Sequence, residues 1–276
     1  MELLNKVTPT SDAMDRFLIK RKAEEETAES NDVDLVLAEK RFKISGPVLH
    51  SASVKSELES KTGIPHLKCE IVWREIRAEN LNCEYTRLFS MTEADDLLAK
   101  SERTLTYNTG HLAKINIFGK WHDIPRKQVA HGDAGLSYTF SNKTLPARPW
   151  IPFLEQIRDR ITAVTGYRFN FVLINRYKDG NDHIGEHRDD EKDLVRGYPI
   201  ASLSLGQARD FIFKHAEARG KNAKRKMAPI KILLDHGSLL LMKHPTNVFW
   251  YHSLPIRKGL PNVRINMTFR KMVVQD

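Results

Sequence analysis

Two histidines and one aspartate stand out in this 276-residue chain as groups whose types and spacing could hold a reactive metal. The stretch Asp182-His183-Ile184-Gly185-Glu186-His187-Arg188-Asp189-Asp190 carries a His-x-Asp pair, His187 and Asp189, directly after a turn-rich segment. His252 is the third candidate donor, and Arg264 and Arg270 follow it near the C-terminus. Two imidazoles and one carboxylate on one side of a metal leave its remaining positions open, which is the donor set of reactive non-haem Fe(II) centres. His-x-Asp alone arises often by chance, so its weight depends on the elements around it.

The most informative of these elements is Val263-Arg264-Ile265-Asn266-Met267-Thr268-Phe269-Arg270, with every even position polar and every odd position apolar. As a strand it places Arg264, Asn266, Thr268 and Arg270 on one face. Two readings of that face stand. It is the solvated side of a sheet, or it is a polar lining whose arginines pair with a small dicarboxylate, a task suited to a planar, permanently charged fork. Phe169, Phe171, Leu173, Asn175 and Tyr177 form one face of another strand. That face turns from apolar to polar just before the His-x-Asp stretch, as in a strand running from core into a cavity. Ile200–Leu205, Asp210–Lys214, Ile230–Leu234, Gly237–Met242 and Val248–His252 read as further short strands, and together they predict a β-sandwich or barrel.

Two helices are expected beside the strands. Thr92-Glu-Ala-Asp95 is a capping-box-like start before Leu97 and Leu98, predicting a helix over 92–102. Pro149 through Gly166 has prolines at its start, Leu154, Ile157, Ile161 and Val164 at helical spacing, and a glycine stop. Between them, Ile115 and Ile117 alternate into a hairpin tip at Phe118-Gly119. Phe118 there is either a wedge that enters a base stack or a core residue folded back. Tyr138 and Phe140 share a face if extended, and either sandwich a planar base or pack as ordinary strand residues.

Charge is unevenly placed. Residues 1–70 carry 11 Lys and Arg against 13 Asp and Glu, whereas the rest carries 33 against 22. A globular part that basic fits a polyanionic partner such as nucleic acid; plain solubility is the other account. Lys214-His-Ala-Glu-Ala-Arg219-Gly220-Lys221-Asn-Ala-Lys224-Arg225-Lys226 holds six cations and one acid between two strands, as expected of a segment that tracks phosphates. Residues 1–70, whose only aromatics are Phe17 and Phe42, are expected to be a disordered tail. One island, Arg16-Phe17-Leu18-Ile19-Lys20, has the form of a docking peptide, or is a chance cluster. Folded structure is expected from Ile71 onward. Cys69 and Cys83 offer no disulfide framework, and the absence of a leader or spanning apolar run predicts a soluble intracellular protein with no membrane partner.

With His187-x-Asp189, His252 and the form Arg264-x-Asn-x-Thr268-x-Arg270 in hand, the chain from residue 71 to the C-terminus resembles the AlkB family of Fe(II)- and 2-oxoglutarate-dependent dioxygenases. The texts Phe-Asn-Phe-Val-Leu-Ile-Asn175-Arg-Tyr177-Lys-Asp-Gly and Trp-Tyr-His252-Ser-Leu-Pro carry the likeness further. The resemblance implies a mainly β fold with flanking helices (α+β), built on a double-stranded β-helix, or jelly-roll, core. It implies a catalytic domain at 71–276 that includes a nucleotide-recognition lid. His187, Asp189 and His252 would hold Fe(II). Arg264 and Arg270 would each take one carboxylate of 2-oxoglutarate, with Asn175, Tyr177 and Thr268 in the same pocket, and O2 as the other cosubstrate. Ile117, Phe118 and Gly119 would form a finger that fills the gap left by a flipped base. Tyr138, Phe140 and Ser141 would belong to the lid, Asp190 and Glu191 would lie near the base, and Arg126 would steady the finger and the flipped strand. Arg219, Gly220 and Lys221 would grip the opposite strand. Residues 16–20 resemble a sliding-clamp-binding peptide found in the family. The implied activity is direct-reversal repair of N-alkylated bases such as 1-methyladenine and 3-methylcytosine in double-stranded DNA, by a monomer in the nucleus. An oxygenase acting on RNA or protein, a zinc hydrolase, or a DNA-binding module with a silent metal site would each share part of this pattern; the paired arginines have no obvious task in the hydrolase.

Overall fold

The stretches of period two fold as strands of two sheets that face each other, and the helical stretches cover the outside of the larger one. The computed structural model describes residues 50–51, 71–117, 119–140, 143–221 and 223–274. The docking peptide Arg16–Lys20, nearly all of the expected tail, Phe118, Ser141, and the side chains of Ile117 and Phe140 lie outside the described residues. In chain order the strands are β1 (His50–Ser51), β2 (Val72–Ala78), β3 (Leu81–Arg87), β4 (Lys114–Ile117), β5 (Lys120–Asp123), β6 (Lys127–Gly132), β7 (Ser137–Phe140), β8 (Lys143–Pro146), β9 (Arg148–Pro149), β10 (Phe171–Tyr177), β11 (Ile184–His187), β12 (Ile200–Gly206), β13 (Arg209–His215), β14 (Ile230–Leu234), β15 (Ser238–Met242), β16 (Trp250–Leu254) and β17 (Arg264–Arg270). Helix α1 spans Met91–Thr104 and α2 spans Pro152–Thr165.

Among the described residues the larger sheet runs β1-β2-β3-β15-β12-β17-β10-β6-β9, and the smaller runs β11-β16-β13-β14. Alternation then sorts the side chains. Val172 and Ile174 of β10, Leu203 and Leu205 of β12, and Ile265, Met267 and Phe269 of β17 pack with Leu154, Ile157 and Ile161 of α2 in one core. On the other face Tyr177, Leu240 and Met242 pack with Phe211, Phe213, Trp250 and Leu254 of the smaller sheet. The architecture is the jelly-roll core expected of a mainly β chain, with two helices laid against its larger sheet.

Local signals account for the helix ends. Ser90 caps α1 with a complete capping box, in which Glu93 N–H donates to Ser90 Oγ and Ser90 N–H to the Glu93 carboxylate. Gly166 ends α2 at φ +75°, in the left-handed region glycine tolerates. The expected start of α2 at Pro149 is corrected to Pro152, because Pro149 belongs to β9. The expected strand Val248–His252 is corrected to Trp250–Leu254. Residues 246–249 form a helical turn instead, anchored by Thr246, which accepts from the Asn82 N–H and donates to the Asn82 carbonyl.

The two loops that lead into and out of the ligand-bearing strands are sewn together at Gly180. Its N–H donates to the Leu260 carbonyl and its carbonyl accepts from Arg257 N–H, each at 2.7 Å. A Cβ there would lie 1.7 Å from the Arg257 carbonyl oxygen. Gly180→Ala is therefore expected to push the loops apart, costing about 1–3 kcal/mol or more by forced backbone shift. Thermal melting together with an Fe(II) titration checks this; an unchanged melting midpoint and unchanged metal affinity would dismiss the seam as a determinant of the site.

Candidate metal and cosubstrate site

Strand pairing brings the three candidate ligands together from distant parts of the chain. His187 at the end of β11 pairs directly with His252 on β16, so the two rings lie 4.3 Å apart between centroids. Asp189 follows two residues after His187 and approaches the Nε2 atoms of His187 and His252 at 3.9 and 3.7 Å. One ligand atom from each of the three lies within 4.8 Å of the others, a cluster that can hold one metal ion. His187 Nδ1 is engaged by the Gly185 carbonyl at 2.9 Å, which orients the ring and leaves Nε2 to face the cluster. The His252 ring stacks on Phe211 at 5.1 Å. Burial holds both imidazoles below their ordinary pKa, His252 down to about 3, with His187 beside it adding to the shift. Neutral imidazole is the ligating form. Asp189 stays ionised although burial opposes it, because Arg270 and then the two histidines hold its carboxyl below the usual range.

The polar face of β17 resolves as a cavity lining. Arg264, Thr268 and Arg270 are all buried, and with Asn175 and Tyr177 of β10 they surround the metal cluster in a cavity of about 610 Å³. The solvated reading of that face is thereby set aside, since the smaller sheet covers it. Arg264 donates to Ser204 Oγ at 2.8 Å and to the Leu234 carbonyl at 3.4 Å, while its Nε meets no acceptor. No carboxylate among the described residues pairs with it, and burial pushes its guanidinium down to about 10. Arg270 donates to Asp189 Oδ1 at 2.8 Å and lies over the Tyr138 ring at 4.8 Å, but its Nε and Nη1 have no partner. Burial works against the Arg270 charge; Asp189, Tyr138 and Glu191 outweigh it and hold the group above the ordinary arginine value. Two buried guanidinium groups with unmet donors around one metal cluster fit a small dicarboxylate.

The remaining site residues divide. Arg126, Tyr138, Asp190 and Glu191 line the same cavity. Arg126 donates from Nε to Asn175 Oδ1 at 2.9 Å, so its guanidinium braces the cosubstrate wall. Tyr138 on β7 donates to Glu191, which burial pushes above its usual carboxyl range. Gly119 closes the β4–β5 hairpin at φ +79°, and Ile115 and His122 of that hairpin reach the cavity. Arg219, Gly220 and Lys221 are not among the lining residues. Within the basic segment expected to track phosphates, the cations divide between paired and exposed ones. Lys214 and Arg219 both donate to Glu186, and Arg225 is paired with Glu79 and Glu217, whereas Lys221, Lys224 and Lys226 are exposed.

Four positioning groups escaped the sequence reading. Gln128, on the unforeseen strand β6, donates to the same Asn175 oxygen as Arg126. Ser204 meets Arg264, and Phe211 backs His252. Arg209, 1% exposed, donates to the carbonyls of Asp179, Asp182 and Pro255 and so joins the loops on either side of the ligand strands. Of these only Ser204 could have been found, as the polar position alternating with Leu203 and Leu205.

Comparison with known proteins agrees with this geometry. Residues 85–270 match the family described as the 2OG-Fe(II) oxygenase superfamily. "DNA oxidative demethylase ALKBH2" from Homo sapiens is 58% identical over 202 residues, covering 73% of this chain and 77% of that protein. The protein of the same name from Mus musculus is 58% identical over 201 residues, 73% of this chain and 84% of that one. "Alpha-ketoglutarate-dependent dioxygenase alkB homolog 3" from Homo sapiens is 37% identical over 192 residues, 68% of this chain and 65% of that protein.

Proposed function

Because the chain belongs to the 2OG-Fe(II) oxygenase superfamily, we propose that it is an Fe(II)- and 2-oxoglutarate-dependent dioxygenase that oxidatively demethylates N-alkylated bases, such as 1-methyladenine and 3-methylcytosine, in double-stranded DNA. The observation that carries the reading is Arg264: a buried cation that no carboxylate among the described residues pairs with, in the same cavity as the His187–Asp189–His252 cluster. The likeness to proteins named DNA oxidative demethylase supports DNA as the substrate.

Each group has a task in that reaction. His187, Asp189 and His252 would hold Fe(II). Arg264 takes one carboxylate of 2-oxoglutarate and Arg270 the other, with Thr268, Tyr177 and Asn175 shaping the walls. Iron, when bound with these cosubstrates, supplies the oxidation: O2 and 2-oxoglutarate become succinate and CO2, and one oxygen atom is inserted into a C–H bond of the N-methyl group. The hydroxymethyl group then leaves as formaldehyde: its C–N bond breaks with the electron pair staying on the ring nitrogen, and its hydroxyl proton passes to solvent, restoring the neutral base. The methyl group lies on the Watson–Crick edge, so the base has to leave the stack. Ile117, Phe118 and Gly119 on the β4–β5 hairpin fill the gap. Tyr138, Phe140 and Ser141 cover the extruded base, Asp190 and Glu191 face its edge, and Arg126 steadies the wall beside it. Lys221 and Arg219, with Gly220 between them, contact the opposite strand. Residues 71–276 form the catalytic unit, and Arg16-Phe17-Leu18-Ile19-Lys20 in the tail docks on the sliding clamp. The protein works as a monomer in the nucleus. Among the described residues no helix is long and apolar enough to cross a membrane.

The test is a repair assay on an oligonucleotide with one 1-methyladenine, as duplex and as single strand, with Fe(II) and ascorbate, with and without 2-oxoglutarate. Restoration of adenine that requires 2-oxoglutarate and runs faster on the duplex is expected. Faster repair of the single strand would overturn the roles given to the hairpin and Lys221. No turnover on either, with iron bound, would redirect the search to RNA and protein.

A further inference from the structure

The carboxylate next to the first metal ligand holds two cations that the sequence offers to phosphates. Glu186 Oε1 accepts from Lys214 Nζ at 2.6 Å and Oε2 from Arg219 Nε at 2.8 Å. The Arg219 guanidinium also lies over the Tyr251 ring at 3.5 Å, and Arg188 lies over the same ring at 4.7 Å. Arg219 and Glu186 side chains are only 10% and 14% exposed, Lys214 32%. Two oxygens of one anion, each met by a cationic N–H at under 3 Å, is also the way a phosphodiester is gripped. The arrangement lies at the rim of the cavity into which a base would pass, since Glu186 and Arg188 both border it.

We propose that Glu186 is a built-in phosphate substitute: in the nucleic-acid-free protein it occupies Lys214 and Arg219, and duplex binding exchanges it for a backbone phosphate. This deepens the DNA reading above and rests on it. The consequence is selectivity. Every duplex, damaged or not, has to displace Glu186, so contacts that are only electrostatic gain less than the charge count suggests. A lesion-bearing duplex offsets the exchange with contacts inside the cavity. An acid placed against the binding cations thus lowers the affinity for the wrong partner. A merely structural ion pair would instead stay closed when DNA is bound.

The experiment is binding of an undamaged duplex to full-length protein, followed by fluorescence anisotropy over a salt series. Each phosphate contact adds about 0.9 to the slope of log affinity against log salt. Glu186→Gln should bind undamaged duplex several-fold more tightly at low salt, with a slope close to that of wild type, because Lys214 and Arg219 meet phosphate in both complexes. Glu186→Asp, which keeps the charge, should behave as wild type. Lys214→Gln should lose about 0.9 of slope, because Lys214 reaches phosphate in the complex. This variant decides the matter alone if Glu186→Gln does not fold. An unchanged low-salt affinity in Glu186→Gln or an unchanged slope in Lys214→Gln, with wild type binding normally, overturns the exchange and leaves the DNA reading standing. Wild type that neither binds duplex at any salt nor repairs 1-methyladenine in it overturns the DNA reading and the exchange with it.

Discussion

Asp189→Ala is expected to give a protein that binds Fe(II) at least about a hundredfold more weakly, because loss even of a group outside the ligand shell typically costs 10–100-fold. It should also unfold earlier when no metal is present. The second effect follows from Arg270. Its Nη2 donates to Asp189 at 2.8 Å, and both side chains are 4% exposed. Removing the carboxylate leaves a buried guanidinium without its ion-pair partner, and breaking a buried pair from one side costs about 3–5 kcal/mol. Urea denaturation of the metal-free variant measures that cost, and an Fe(II) titration measures the first. A metal-free midpoint equal to wild type would mean that Arg270 is stabilised by other means, and the description of this pair would be wrong. Asp189→Asn separates the two parts, since it keeps the hydrogen bond to Arg270 but not the charge.

Arg264→Met is expected to leave stability close to that of wild type while still disabling the enzyme. Arg264 is buried to 2% and its charge meets only neutral acceptors, Ser204 Oγ and the Leu234 carbonyl. Such a charge carries a desolvation cost of several kcal/mol. Methionine fills similar volume without it, at the expense of two unmet acceptors worth roughly 1–3 kcal/mol each. The metal-free variant should therefore denature within about 1–2 kcal/mol of wild type, a residue of these opposed effects. Its affinity for 2-oxoglutarate should fall about a hundredfold, since truncating one partner of a buried charge pair costs about 2–5 kcal/mol. Arg264→Lys should recover part of that, keeping the charge but not the fork. Calorimetric titration of 2-oxoglutarate into the Fe(II) protein reads the binding, and urea midpoints read the stability. An unchanged 2-oxoglutarate affinity would refute the task given to Arg264. A large loss of stability would refute the claim that its charge burdens the fold.

The contrast between these two residues marks the limit of what sequence could say. Asp189 and Arg270 come from segments 81 residues apart, and nothing local pairs them. The alternation on β17 was plain in Val263–Arg270, and the same alternation put Asn175 and Tyr177 on one face of β10. Strand β6 escaped because its buried run Gln128–Gly132 holds only two adjacent aliphatic residues, Val129 and Ala130, too few to show a period. The exit from β15 was misread because a helical turn at 246–249 is held by contacts to Asn82, 164 residues away.

By itself, then, the sequence determined the period of each element, the residues that share a face, and the presence of a His-x-Asp donor pair, because alternation and short-range spacing are properties of neighbouring residues. Only the tertiary structure decided that the polar face of β17 is a buried lining and that His252 stands opposite His187. It also decided that two cations of the basic segment are held by Glu186. The physical reason is that burial depends on which sheet covers a face, and pairing on strand register. Both are set by packing among segments that the order of residues leaves far apart.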